Sequence, residues 1–356
     1  MSRFFSEKFK SLDPYVPGEQ PRDMKYVKLN TNESPYPPSP EVLACMSPEN
    51  VKKLRLYPDP ESAALKDAIG KAEGLRRENV YVANGSDDIL NFAFMAFSKP
   101  GGKVYFPDLT YGFYPVFAAL HGLEAVEIPV KDDFSIDPAD YFGADGMVII
   151  ANPNAPTGRI LQLDDIRKIL ENNRDNVVLI DEAYVDFGAE SAVCLTGEYD
   201  NLLVCRTYSK SRSMAGARLG YALGDKSLIA DLETLKFSTN PYNINTLTQL
   251  AGIAAMKSEE YYRDRCRAIQ ATREKTAAEL IKRGFTVVPS MANFIFVKSD
   301  RISGEDLYRG LRERGVLVRH FDKERIKDYN RVTIGTDEEM DIFLCCVDEM
   351  LKGALK

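Results

Sequence analysis

Between residues 61 and 255, short apolar runs alternate with stretches of helical periodicity. The runs are Val80-Tyr81-Val82, Val104-Tyr105-Phe106, Ala125-Val126-Glu127-Ile128, Met147-Val148-Ile149-Ile150, Val177-Val178-Leu179-Ile180 and Leu202-Leu203-Val204-Cys205. Their brevity and β-branched content predict strands. Helical patterns separate them at Ala63–Glu73, from Ser86 onward, at Tyr114–His121 and over 163–172. Strands joined through helices form a mostly parallel sheet covered on both faces. Ligands of such sheets bind outside the carboxyl ends of the strands, so the residues just after each run are the candidates for chemistry.

A chain of 356 residues is too long for one small core, and two domains sharing a cleft are expected. An amphipathic helix is predicted over 259–283, with Tyr262, Cys266, Ile269, Ala277 and Leu280 on one face, ended by Gly284. The order then changes to a strand at Phe294-Ile295-Phe296-Val297, a helix over 304–314, strands over 316–319 and at Val332-Thr333-Ile334, and a helix over 337–352. This reads as a smaller α+β domain. The first 60 residues hold Pro14, Pro17, Pro21, Pro35, Pro37, Pro38 and Pro40, which predicts neither regular helix nor central strand. They read as an extended arm lying on the rest of the chain or on a neighbouring subunit. The expected division is 1–55 for the arm and part of the small domain, 56–258 for the large domain and 259–356 for the small one.

A net charge of −7 and a pI near 5.2 argue against nucleic acid or an anionic membrane as partner. No apolar stretch approaches membrane-spanning length and residues 1–8 carry no signal-peptide core, so a cytoplasmic location is expected. Six cysteines without CxxC spacing read as reduced core residues, neither disulfides nor zinc ligands, and two histidines, His121 and His320, make a His-rich metal site improbable.

The polar motifs fall at strand ends. Lys210 lies in Thr207-Tyr208-Ser209-Lys210-Ser211, and Arg218 follows eight residues later across small residues that let the backbone fold back. A lysine so placed, flanked by hydroxyls and answered by an arginine, suits a Schiff-base amine beside a phosphate. Asp181 closes an apolar strand, where a carboxylate is costly unless a cation or a proton meets it. A pyridinium N–H would meet it, with Tyr184 reaching the same ring; an N-cap for a short helix is the plainer reading. In Asn84-Gly85-Ser86-Asp87-Asp88, Gly85 permits close approach and the following helix N–H groups form an anion site. Ser86 is also a good N-cap, and Asp87 and Asp88 suit a positive helix end without any ligand.

Tyr111 stands where an aromatic can stack on a planar cofactor or simply pack. Asn152-Pro153-Asn154-Ala155-Pro156-Thr157-Gly158 is a turn whose asparagines can donate to a ring oxygen or serve only the turn. Tyr15, Tyr36 and Tyr57 of the arm either reach a site or hold the arm down. Neither GxGxxG nor GxxxxGK[ST] occurs, which disfavours dinucleotide and P-loop chemistry. An amine, a carboxylate, a stacking tyrosine, amide donors and a phosphate cup together are what pyridoxal 5′-phosphate needs.

These motifs, with Pro14-Tyr15-Val16-Pro17-Gly18, Asn32-Glu33-Ser34-Pro35-Tyr36, Leu56-Tyr57-Pro58-Asp59, Ala292-Asn293-Phe294 and Arg331-Val332-Thr333-Ile334-Gly335-Thr336, carry a resemblance nearly end to end. The chain resembles the fold-type-I pyridoxal-phosphate aminotransferases of class I/II, and within them is similar to the histidinol-phosphate aminotransferase family. The resemblance implies an α/β fold whose large domain holds a mostly parallel seven-stranded sheet flanked by helices, with a smaller α+β domain built from both chain ends. It implies Lys210 as the cofactor-bound lysine, Asp181 at the pyridine nitrogen, Tyr184 at the ring 3-oxygen and Tyr111 over the ring. Gly85, Ser86, Thr207, Ser209 and Arg218 would hold the phosphate, with Tyr57 arriving from the partner of a homodimer, and Asp87 and Asn154 would also bind the cofactor. Arg331, helped by Arg319, Tyr15 and Asn32, would bind the substrate.

The implied reaction is transamination of histidinol phosphate with 2-oxoglutarate, yielding glutamate, without any metal. Threonine-phosphate decarboxylase and aromatic-amino-acid aminotransferase activities are the alternatives on this scaffold. One departure stands out. The usual Asn-Pro-Thr-Gly donor asparagine is Ala155 here, so that Asn154 or Asn152 replaces it, or Tyr184 holds the ring oxygen alone.

Overall fold

Two prolines of the arm, expected to exclude helix, open helices instead. The computed structural model describes residues 2–10 and 12–353. The arm leads through β1 (Val27–Lys28) into the short helices α1 (Pro40–Ala44) and α2 (Pro48–Val51). Pro40 and Pro48 each occupy the first helical position, where the missing N–H costs nothing. Ser39 and Ser47 cap them, accepting from the N–H groups of Val42 and Asn50.

There follow α3 (Ala63–Glu73), β2 (Val80–Ala83), α4 (Ser86–Phe97), β3 (Lys103–Pro107), α5 (Tyr114–His121), β4 (Glu124–Ile128) and β5 (Met147–Ala151). Next come α6 (Leu163–Glu171), β6 (Val178–Asp181), β7 (Leu202–Thr207), β8 (Gly220–Gly224), α7 (Lys226–Thr239), α8 (Thr246–Lys257) and the long α9 (Glu259–Lys282). The strands form one seven-stranded sheet in the order β2-β8-β7-β6-β5-β3-β4. All its neighbours are parallel except β8, which runs antiparallel to both β2 and β7.

Strand β8 escaped the sequence reading because glycines at both ends weaken its pattern. Gly220 is required there, since a Cβ would lie 2.6 Å from the Gly85 carbonyl carbon and the Ser86 nitrogen. The period of two along each strand sends alternate side chains into two cores. Val148, Ile150, Val178, Ile180 and Val204 face the core that includes Leu65, Ile166 and Ala255, from α3, α6 and α8. Ile149, Leu179, Leu203 and Cys205 face the one that includes Leu90, Phe117 and Leu232, from α4, α5 and α7. Helices on both faces leave the strand ends as the free place for polar loops.

The rest of the chain adds β9 (Phe285–Val288), β10 (Phe294–Ser299), α10 (Gly304–Glu313), β11 (Val316–Leu317), β12 (Arg319–His320), β13 (Tyr329–Thr333) and α11 (Asp337–Gly353). A four-stranded antiparallel sheet runs β12-β13-β10-β9. The single strand expected over 316–319 divides at Val318. Its first half pairs in parallel with β1 of the arm, and its second half with β13. Leu29 therefore joins Val316, Val318 and Ile295 in this domain's core. That pairing carries residues 30–33 across to the ends of the large sheet.

Candidate active site

Beyond β7 the chain turns through Ser209 and Lys210 and returns as β8. Arg218 makes the return with a φ of +52°, a left-handed conformation that costs a non-glycine residue energy. Its Nη2 donates to Asp87 Oδ2 at 3.0 Å, and its Nη1 lies 3.4 Å from Ser209 Oγ. Gly85, at a φ of +90°, leaves the space for it; a Cβ there would stand 2.5 Å from Arg218 Nη2. Ser86 and Asp87 begin α4, whose first N–H groups have no intrahelical acceptor. Thr207, Ser209, Lys210, Arg218, Ser86 and Asp87 thereby line one cavity of about 170 Å³.

Asp181 ends β6 on the floor of the same cavity. Its Oδ2 accepts from the Tyr114 hydroxyl at 2.9 Å and its Oδ1 from the Ala183 N–H at 3.2 Å. Burial pushes its carboxyl up to about 6, against the pull of those two donors. Tyr111 also lines the cavity, its hydroxyl donating to Asp87 at 2.9 Å. Tyr114 stands edge-on to it, with ring centroids 5.7 Å apart. Tyr114 was read from sequence only as a helical residue; the unmet need of a buried Asp181 for a donor was the one signal for it.

A second cavity of about 410 Å³ adjoins the first. Thr31, Tyr111, Ala155, Tyr184 and Lys210 line both. Lys210 Nζ, at the junction, donates to the Thr31 carbonyl at 3.1 Å and lies 5.7 Å from the Tyr184 ring centroid. The outer cavity adds Tyr15, Asn32, Arg319 and Arg331. Tyr15 is held by stacking on Phe113 at 4.5 Å. The register sets Arg319 directly opposite Arg331 on β12 and β13. Among the described residues the two guanidiniums donate to carbonyls only, those of Val16 at 3.3 Å and Asn30 at 3.0 Å, and Arg331 Nε has no hydrogen-bond partner. Burial lowers the Arg331 pKa.

Two expected residues stand apart. Asn154 is wholly buried and lines neither cavity, its amide being spent on the turn. Tyr57 is 81% exposed and stacks on Tyr242 at 4.6 Å, away from this chain's own site. Sequence reading also missed a buried ion network behind the site. Arg206 joins Glu73 at 2.6 Å, Glu182 at 3.2 Å and Asp186 at 3.4 Å, and Asp186 accepts in turn from Ser211, next to Lys210.

The family model for aminotransferases of class I and II matches residues 24–345. The chain is 52% identical to the histidinol-phosphate aminotransferase of Brachyspira hyodysenteriae, over 99% of this chain and 100% of that one. It is 50% identical to that of Clostridium acetobutylicum, with the same coverage. This chain belongs to the class I and II aminotransferases, among the histidinol-phosphate aminotransferases. Its fold is that of the Sinorhizobium meliloti histidinol-phosphate aminotransferase solved with pyridoxal 5′-phosphate, at a TM-score of 0.90, 23% identity and 99% coverage of both chains. A solved Clostridium acetobutylicum histidinol-phosphate aminotransferase gives 0.84 at 25% identity, covering 92% of this chain and 99% of that one.

Pyridoxal phosphate is the cofactor of this aminotransferase, and the inner cavity fits it chemically. It offers a lysine amine, a buried carboxylate with no ion-pair partner among the described residues, and an arginine beside a helix N-terminus. Gly85 keeps that phosphate cup open.

Proposed function

We propose that this aminotransferase moves the amino group of L-histidinol phosphate to 2-oxoglutarate, releasing imidazole acetol phosphate and glutamate, as a step of histidine biosynthesis. The observation that carries this is the cross-strand pair Arg319 and Arg331, two like charges set opposite each other with no carboxylate paired to either among the described residues. Facing like charges destabilise a sheet unless an anion joins them. A guanidinium pair reads a phosphate monoester and a carboxylate alike, which suits two substrates that take turns in one cavity.

When bound, pyridoxal phosphate supplies an aldehyde that Lys210 can join and a ring that takes up the electron pair freed at the substrate carbon. Arg218, Ser209, Thr207 and the first N–H groups of α4 at Ser86 and Asp87 would hold its phosphate, with Gly85 giving the clearance. Tyr111, lining the same cavity, would pack on the ring. Asp181 would hold a proton on the ring nitrogen, because a charged carboxylate so deeply buried needs a cationic partner. Lys210 Nζ, placed between the cavities, takes the proton from the substrate carbon and returns it. Tyr15 and Asn32 border the substrate cavity.

The working unit is a homodimer in the cytoplasm. The apolar residues Leu43, Met46, Leu54, Leu56, Tyr57 and Tyr242 are exposed on and around α1 and α2, and a second copy would cover them. Of the six cysteines expected in the core, Cys205, Cys266 and Cys346 are buried, while Cys45, Cys194 and Cys345 are not.

The test is a substrate screen on the cofactor-loaded enzyme, followed by the change in cofactor absorbance. Histidinol phosphate, phenylalanine, aspartate and threonine phosphate are added singly, then 2-oxoglutarate. Conversion by histidinol phosphate at far lower concentration than by the others, reversed by 2-oxoglutarate, is the expected result. Carbon dioxide released from threonine phosphate, or preference for phenylalanine, would replace this assignment.

A further inference from the structure

The turn after β5 carries Ala155 where the wider family pattern has a donor asparagine, and both neighbouring asparagines are committed elsewhere. Asn154 Nδ2 donates to the Leu109 carbonyl at 2.8 Å and to Thr157 Oγ1 at 3.2 Å, while its Oδ1 accepts from Thr110. Asn152 Nδ2 donates to the Leu161 carbonyl at 3.2 Å, and its Oδ1 accepts from the Leu161 N–H at 2.9 Å. Both are buried and neither lines the cofactor cavity. The Ala155 methyl is what the turn presents there.

Tyr184 is the remaining donor, and its hydroxyl is oriented from the arm. Asn32 Nδ2 donates to Tyr184 Oη at 2.9 Å. The Asn32 amide cannot turn over, because Thr333 Oγ1 donates to its Oδ1 at 3.0 Å while accepting from its backbone N–H at 2.9 Å. Asn293 Nδ2 holds the Asn32 carbonyl at 3.0 Å, and the residue sits at a φ of +55°, which asparagine tolerates better than most. With a fixed donor occupying its oxygen, the Tyr184 hydroxyl directs its own proton elsewhere. Among the described residues no acceptor takes it, and Tyr184 faces both cavities. Phe294 fixes the ring plane edge-on at 5.1 Å.

We propose that in this enzyme the Tyr184 hydroxyl alone donates to the cofactor's ring oxygen, and that Asn32 is a positioning residue that aims its proton. This rests on the cofactor assignment and is independent of the substrate. The other charged or titratable groups lining the cavities beside Tyr184 include Lys210, Asp181, Glu33, Asp87, Arg218, Tyr111, Tyr15, Arg319 and Arg331. They stay in place in the variants below.

The experiment is a pH titration of the visible absorbance of the purified holoenzyme and its variants, without substrate. A donor to the ring oxygen makes that oxygen a poorer partner for the proton on the lysine-bound nitrogen, so the chromophore loses its proton more readily. Tyr184→Phe should raise the midpoint by roughly one to two units, the scale of a hydrogen bond to a charged group. Asn32→Gly, which accepts the positive φ, should raise it by less, and should add nothing when combined with Tyr184→Phe. Asn32→Asp, whose carboxylate would draw the Tyr184 proton back, should raise it at least as much as Asn32→Gly. Ala155→Asn should lower it.

An unmoved midpoint in Tyr184→Phe would overturn the proposal. A shift from Asn32→Gly that persists in full on the Tyr184→Phe background would overturn the role of Asn32. Loss of all visible absorbance after dialysis of the unmodified enzyme would defeat the cofactor assignment beneath it.

Discussion

The Tyr114 hydroxyl donates to Asp181 Oδ2 at 2.9 Å, joining the start of α5 to the end of β6 where neither side chain is open to solvent. Among the described residues it is one of two donors to that carboxylate, the other being the Ala183 N–H. Tyr114→Phe keeps the ring and removes the donor. The charged form of Asp181 then loses a bond worth roughly 1.5–3 kcal/mol, so cofactor affinity should fall about tenfold or more. Equilibrium titration of the cofactor-free protein with pyridoxal phosphate measures this. Equal affinity in the two proteins would mean that the contact plays no part in holding the cofactor.

The carboxyl of Asp181 is pushed by burial up to about 6 from its ordinary 3.8. A pKa raised by folding means that the cofactor-free fold binds this proton more tightly than the unfolded chain. The stability it contributes is complete below about pH 4 and is lost as pH rises through about 6. Relative to Asp181→Asn, the cofactor-free protein should therefore lose on the order of 3 kcal/mol between those limits. Bound cofactor should cancel most of the loss by presenting a ring cation. Denaturation curves at both pH values decide the matter; a constant difference between the two proteins would count against it.

Opposed on β12 and β13, Arg319 and Arg331 repel each other when no anion is present. Inorganic phosphate should raise the melting temperature of the unmodified enzyme and leave Arg331→Gln unmoved. For histidinol phosphate, Arg331→Gln should lower kcat/KM by roughly a hundredfold, the scale of a lost charge-assisted contact, with cofactor absorbance unchanged. A variant with normal kcat/KM would remove Arg331 from the substrate site.

Arg206 compensates Glu182 and Asp186 in the interior, and burial of Glu182 already raises its pKa despite that partner. Arg206→Met strands those carboxylates and should cost about 3–5 kcal/mol of stability, read from urea unfolding. A loss under about 1 kcal/mol would show that the carboxyls simply take up protons instead.

The sheet was legible because a strand buried on both faces must be apolar at nearly every position, and β2, β3, β5, β6 and β7 carry that mark, while the exposed edge strand β4 shows only a short β-branched run. The seventh, β8, does not carry it, since close approach to Gly85 and Ser86 demands a glycine where a strand former would otherwise stand. The arm departs from the expectation of no regular helix. Proline excludes helix interiors but favours helix starts, and only the serines before Pro40 and Pro48 distinguish the two cases.

By itself the sequence determined the alternation of strands and helices, and with it that Lys210, Asp181 and Ser86 stand at strand ends, since each of these follows from a pattern a few residues long. Only the tertiary structure decided which polar groups meet. Asn32 reaches Tyr184 across 152 positions, and Asn154 is consumed by Leu109 and Thr157. A side-chain amide has the same donors and acceptors wherever it stands in the chain. Its partner is chosen by the folded backbone that brings distant residues within 3 Å, and no local pattern records that choice.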